Sequence, residues 1–284
     1  MMGLARFAMK SQLNAGVLAA GFAALPMLYA LSAALVALVT LRRGATEGTR
    51  VLMWSLAGGL VSWQLTGMIL PLLVLPVTAL LAMVMRSVQS WSVLLTVAAL
   101  LGIALALAAQ GLLNDRFEAV ITQVQQGVAG ADTSQPMWQM LESVKPNAAF
   151  LVMTVELLEA LLCLVLARYW QAGLYNPGGF RQEFHALRIS GRLLIALVLL
   201  AGLAYVVKPA AMLLLLLPLL FAGVALVHGV IAKTNMGGQW LLAFYVGGLL
   251  LNQFILPLLV LGAVIDGVLD IRARLTKAPD QNDE

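Results

Sequence analysis

The sequence predicts an all-α protein: a polytopic transmembrane bundle of about eight spans with short interfacial helices, forming one integral membrane domain over residues 1–284. Three observations lead there. Of the residues, 62% are apolar and 11% charged, against roughly 45–50% and about 25% in soluble domains. A soluble sphere of this size needs far more polar surface, which excludes a soluble enzyme or a disordered chain. Apolar runs follow one another at 13–41, 51–85, 91–112, 148–167, 193–207, 210–232 and 239–265, and about 20 residues suffice to cross a hydrocarbon layer of roughly 30 Å. Basic residues gather at the ends of these runs, so the net charge of +4 suits a lipid bilayer with positive-inside orientation and not nucleic acid.

The N-terminal MMGLARFAMKSQLNAG reads like a signal-peptide n-region, but no polar domain follows, and an uncleaved first span is expected. The first two runs are too long for one straight span and contain Pro26, Pro71 and Pro76. Each is either a short helical hairpin or one tilted, broken helix. Arg6 and Lys10 precede the first run, Arg42, Arg43 and Arg50 follow it, Arg86 closes the second, and Arg168, Arg181, Arg188 and Arg192 dominate 168–192. All four groups lie in the cytoplasm if both long runs are hairpins and 113–147 is outside. The C-terminal half conflicts with this scheme, because three apolar runs after Arg192 would carry Arg272, Arg274 and Lys277 to the other side. Both termini are expected in the cytoplasm.

Two segments between runs have their own pattern. In 113–147, Phe117, Val120, Ile121, Val124 and Val128 recur at helical spacing behind Asn114 or Asp115 as cap. GVAGADTSQ reads as a loop, and Pro136 opens a second short helix that Pro146 stops. The pair is a structured connector or a lid over the bundle's outer mouth. In 172–192, the turn Asn176-Pro177-Gly178-Gly179 precedes an apolar stripe of Phe180, Phe184 and Leu187, flanked by Arg181, Arg188 and Arg192. That is the pattern of a basic interfacial helix whose arginines contact lipid headgroups. A charged tail, 271–284, ends the chain. Small residues at four-residue spacing (Gly16, Ala20, Ala24; Ser55, Gly59; Ala98, Gly102, Ala106) permit close helix packing within the chain.

Polar residues inside apolar runs are costly, and Glu156 and Glu159 stand near the middle of 148–167. Their i, i+3 spacing puts both on one helix face, with Cys163 one turn further. Two such carboxylates repel unless a proton or a cation lies between them. They are a candidate proton, cation or ligand site, or else a neutral pair bonded to a neighbouring helix. Asn252, Gln253 and Gln64 are candidate polar lining, although amides there commonly serve helix packing. Gln110 is a weaker case, Lys208 reads as a loop cation, and His228 as a structural interfacial histidine. Cys163 is the only cysteine, which excludes an intrachain disulfide and a cysteine cluster for zinc.

No nucleophile elbow, His-Glu-x-x-His, P-loop or dinucleotide fingerprint occurs, so no enzyme activity, metal or cofactor is expected. Gly262, Asp266 and Asp270 follow the Gly-x3-Asp-x3-Asp spacing of membrane CDP-alcohol phosphotransferases, but the acidic half that must precede it is missing from FYVGGLLLNQF. The alternative for this stretch is a helix end leaving the membrane, with Asp270 and Arg274 able to pair at i, i+4.

The same ending, an apolar run followed by Asp266, Asp270 and Arg272 and a short charged tail, resembles the YybS-like bacterial inner-membrane proteins. LARYWQAGLYNPGGFRQEFHALR, with Asn176, Pro177, Gly178 and Gly179, and the earlier LRRG resemble a proteobacterial branch of that family. Gly262, four residues before Asp266, departs from the closer glycine expected. The resemblance implies a distant likeness to the substrate-binding components of energy-coupling-factor transporters, which enclose a ligand near the outer face and pair with a membrane partner. Two readings stay open: a component binding or transporting a small-molecule ligand, with Glu156 and Glu159 in its pocket, and a scaffold that holds a membrane protein partner or lipid.

Overall fold

The computed structural model describes residues 2–127 and 136–275, so Val128, most of the expected GVAGADTSQ loop, Lys277 and the tail beyond 275 lie outside the described residues. A short helix α1 (Met2–Ala8) leads into α2 (Gln12–Ala24), whose first turn is capped by Ser11 Oγ accepting from the Asn14 amide at 3.1 Å. Residues 25–28 then reverse the chain, with Pro26 and a left-handed Met27 (φ 68°) at the bend. The return helix is α3 (Tyr29–Arg43). Arg43 donates to the Met9 carbonyl at 2.6 Å and Ser32 to the Ala19 carbonyl at 2.7 Å, so the first apolar run is an antiparallel hairpin. At 1.5 Å per residue its arms reach about 20 Å, short of a roughly 30 Å hydrocarbon layer. Residues 33–39 have no exposed surface on any side, which makes α3 the centre of the bundle.

The second run is also a hairpin, α4 (Ala45–Thr66) and α5 (Leu70–Val88). α2 lies along α4 through the small-residue ridge: Trp54 fills the space over Gly16, and a Cβ on Gly58 would stand 2.1 Å from the Ala20 carbonyl oxygen. Next come α6 (Trp91–Ala108) and α7 (Gln110–Gly127). α7 starts four residues before Asn114, so neither Asn114 nor Asp115 caps it. Asn114 Oδ1 instead accepts from the Ala149 amide at 3.3 Å, satisfying an orphan donor at the start of another helix. Pro136 opens α8 (Pro136–Val144), and a 3-10 turn (Lys145–Asn147) leads to α9 (Ala148–Tyr175). Trp138 and Ile121 are buried, and Lys145 pairs with Glu118 at 3.0 Å. The connector is thereby docked on the start of α9.

α9 runs on to Tyr175, so residues 172–175 of the expected interfacial segment belong to it. The turn at 176–178 follows, with Gly178 left-handed (φ 86°), then α10 (Gly179–Ala186) and α11 (Gly191–Val207). α12 (Pro209–Lys233), α13 (Gln239–Leu250), α14 (Asn252–Leu269) and α15 (Ile271–Arg274) complete the described chain. The last apolar run is therefore two helices meeting at Leu251. A Cβ on Gly247 would lie 3.4 Å from Ile255 Cδ1, whereas eight residues of straight helix span about 12 Å. His228 on α12 meets Tyr245 on α13 at 2.8 Å, and Lys233 donates to the Arg272 carbonyl at 2.6 Å. α13 thus turns back along α12, and α14 returns to the end where α12 finished.

This extra break removes the conflict in the charge pattern: Arg272 and Arg274 stand at the same end of the bundle as Arg43, Arg86, Arg168 and Arg188. Five helical stretches are long and apolar enough to cross a membrane, and a sixth if α10 and α11 are one span bent by 61°. The count falls below the expected eight because α2, α3 and α13 are too short to cross and α4 is comparatively polar. The molecule is an all-α membrane bundle. One apolar core joins α3, α5 and α9, and a second lies between α11, α12 and α14.

Candidate functional site

The first site forms where the tip of the α2–α3 hairpin meets α9. Glu156 is 2% exposed and its Oε2 has no hydrogen-bond partner among the described residues. Glu159, one turn on, is half-buried and accepts a hydrogen bond from the Tyr29 hydroxyl at 3.2 Å. Tyr29, 9% exposed, is the first residue of α3. The positive end of that helix dipole, whose own first turn contains no acid, therefore lies on the side where the carboxylates are. Cys163 is buried a turn beyond Glu159. Such an arrangement can hold a proton or a small cationic group between two carboxylates, with a hydroxyl to orient it.

Asn252, Gln253 and Gln64 do not join this site: all three are exposed. Asn252 and Gln253 stand at the tip of the α13–α14 hairpin rather than midway along a span, and Asn252 donates to the Leu249 carbonyl at 3.4 Å. Gln64 stands in the last turn of α4. Lys208 is a loop cation at the end opposite the arginines, donating to the Pro146 carbonyl at 3.0 Å with Phe150 beneath it. His228 is a packing residue against Phe184 and Tyr245.

The second site is the basic end. The Asn176-Pro177-Gly178-Gly179 turn folds the Asn176 side chain over Gly179 and sets the direction of α10. Phe180 and Phe184 stack, and Phe180 meets Trp91 edge-on, so the apolar stripe faces the bundle. Arg181 and Arg192 are exposed, as headgroup contact requires. Arg188 is not: it turns inward to Asp270 at 2.8 Å, which overturns the expected Asp270–Arg274 pairing. Asp270 is left-handed (φ 51°) and caps α15, an orientation that points its carboxylate at Arg188. Asp266, 1% exposed, pairs with Arg272 at 2.8 Å, and Arg272 also donates to the carbonyls of His185 and Leu187. The α10–α11 link and the end of α14 are thus fastened to each other.

Beside this knot lies a cavity of about 690 Å³, bounded by the ends of α5 and α9, the start of α6 and the α10–α11 link. Neither Glu156 nor Glu159 lines it. Its wall contains Arg86, which donates to the Leu41 carbonyl at 2.7 Å, and Arg168, which is paired with Glu183 and Gln171. The sequence pattern marked these arginines only as topology signals, and Tyr29 and Glu183 carried no signal beyond their position near a proline and within a basic stretch. No protein-family model matches the chain, and no curated protein and no solved structure matches it.

Proposed function

We propose that this chain is a multi-pass protein of a bacterial inner membrane that binds and helps to transport a small solute or cation at Glu156, Glu159 and Tyr29. The observation that carries the reading is the Tyr29–Glu159 contact at a helix break, beside a buried carboxylate oxygen without a partner among the described residues. Transporters place discontinuous helices at their binding sites, where helix ends and freed backbone groups meet the cargo. Acids deep in a membrane bundle are retained for proton or cation handling. The resemblance of 168–192 and the Asp266–Arg272 ending to the YybS-like proteins supports the same reading, since it implies a likeness to energy-coupling-factor substrate-binding components. By the positive-inside rule the arginine end faces the cytoplasm and the α7–α8 connector the periplasm.

A scaffold function is the second reading, favoured by Asn252 and Gln253, whose amides stand exposed on an otherwise apolar hairpin tip where a partner helix would bond them. Mass spectrometry of the detergent-purified protein separates the two. A small molecule retained by the wild type and lost from a folded Glu156→Gln/Glu159→Gln variant supports binding. A stoichiometric protein partner with no small molecule favours the scaffold, and a double variant that fails to fold assigns the acids to structure.

A further inference from the structure

The cavity at the basic end plays no part in the Glu156–Glu159 site, yet its wall is incomplete in two independent ways. The first is charge. Arg86, Arg168 and Arg188 face a single lining acid, Glu183. Glu183 is engaged by Arg168 and Asp270 engages Arg188, while Arg86 has only the Leu41 carbonyl and no carboxylate among the described residues. Positive charge is left over at the cavity. The second is hydrogen bonding. The Arg168 Nε–H and the indole N–H of Trp91, a wall residue only 6% exposed, have no acceptor among the described residues. Ser90 does not cap α6: its hydroxyl meets that of Ser92 at 3.1 Å, so the first-turn amides of an 18-residue helix are left free for another acceptor. Glu183 Oε2 is a buried acceptor of this wall without a donor among the described residues.

A guest that matches this wall carries an anion for the arginines and the helix start and, once small side-chain shifts uncover the buried indole N–H and Glu183 Oε2, an acceptor for the one and a hydroxyl for the other. We infer that the cavity is a binding site for a phosphate group with a neighbouring hydroxyl, the chemistry shared by a glycerophosphate lipid headgroup and a free polyol phosphate. Arginine forks and helix starts suit phosphate oxygens, and basic pockets between membrane helices take anionic headgroups. The volume of about 690 Å³ is within the range of roughly 300–1,000 Å³ found for small-molecule sites.

The test uses the full-length protein in neutral detergent, with phosphatidylglycerol, phosphatidylcholine and glycerol 3-phosphate as probes and native mass spectrometry and thermal shift as readouts. Arg86→Gln is the diagnostic variant, because Arg86 is exposed and its loss spares the Arg168–Glu183 pair; Arg116→Gln, exposed on α7 and outside the cavity, is the control for charge. Phosphatidylglycerol is expected to be retained over phosphatidylcholine, or glycerol 3-phosphate to stabilise, with affinity falling about tenfold in Arg86→Gln and unchanged in Arg116→Gln. Retention of the lipid alone identifies a headgroup site, and a response to glycerol 3-phosphate alone identifies a soluble ligand. Equal weakening in the two variants, or binding of neither phosphate probe by the wild type, overturns the inference.

Discussion

Arg272 holds Asp266 at 2.8 Å across six residues of its own chain, with side chains 11% and 2% exposed, while its other N–H groups reach the carbonyls of His185 and Leu187. One guanidinium thus closes the end of α14 onto the α10–α11 link. Removing only the arginine leaves a buried carboxylate without its partner, a loss of about 3–5 kcal/mol. Arg272→Met should lower unfolding stability in detergent by that amount, and Asp266→Leu/Arg272→Met should recover a large part of it. Unfolding followed by tryptophan fluorescence checks this, and a double variant as unstable as the single one would contradict it.

The α2–α4 contact depends on a missing side chain. A Cβ on Gly58 would lie 2.1 Å from the Ala20 carbonyl oxygen, whereas one on Gly21 meets nothing within 4 Å. Backbone cannot yield as a flexible side chain does, so Gly58→Ala is expected to cost about 1–3 kcal/mol. Gly21→Ala should be neutral or stabilising by up to about 1 kcal/mol, since alanine is the better helix former. Comparing the two melting curves tests the packing directly.

Tyr29→Phe deletes one hydroxyl and its 3.2 Å bond to Glu159. The expected destabilisation is about 1 kcal/mol. Under the binding reading, retention of the co-purified small molecule should fall by a larger factor than stability does. A variant that loses stability while keeping the full complement of small molecule would place Tyr29 outside the binding site.

Asn114 accepts from the Ala149 amide at 3.3 Å and so completes the start of α9 from a neighbouring helix. Asn114→Ala should destabilise that helix start by about 1 kcal/mol. Hydrogen exchange at residues 148–150 is expected to quicken, with the rest of α9 unchanged. Glu118→Gln removes a solvent-exposed pair with Lys145 and should alter exchange there little.

The helical class and the 176–178 turn were legible from run length and Asn-Pro-Gly-Gly, whereas the two over-long runs left hairpin and broken helix open, and the second bends at Gly67 rather than at its prolines, which lie inside α5. The break at Leu251 was not. It falls inside GGLLLNQF, where neither proline nor charge interrupts the apolar run, and only the conflict in basic-residue sidedness hinted at it. The carboxylate pair was visible as two acids at helical spacing, but Tyr29 lies 130 residues from Glu159 in the chain. The inward turn of Arg188 depends on the left-handed backbone at Asp270, which no spacing rule reveals. Long-range partners of this kind are set by which helices meet.

The short arms α2, α3 and α13 bear on how the chain enters a bilayer. The tips at 25–28, 67–69 and Leu251 contain no charged residue, and the link between α11 and α12 contains one, Lys208. With the arginine end on the cytoplasmic side, as proposed above, the other charged links need not cross the bilayer, apart from the α6–α9 connector. Insertion can therefore proceed as a series of hairpins pushed in from one face, with a single polar stretch carried across. The step that limits assembly is expected to be passage of residues 113–147, and adding arginines to that stretch should trap the chain before α9 inserts.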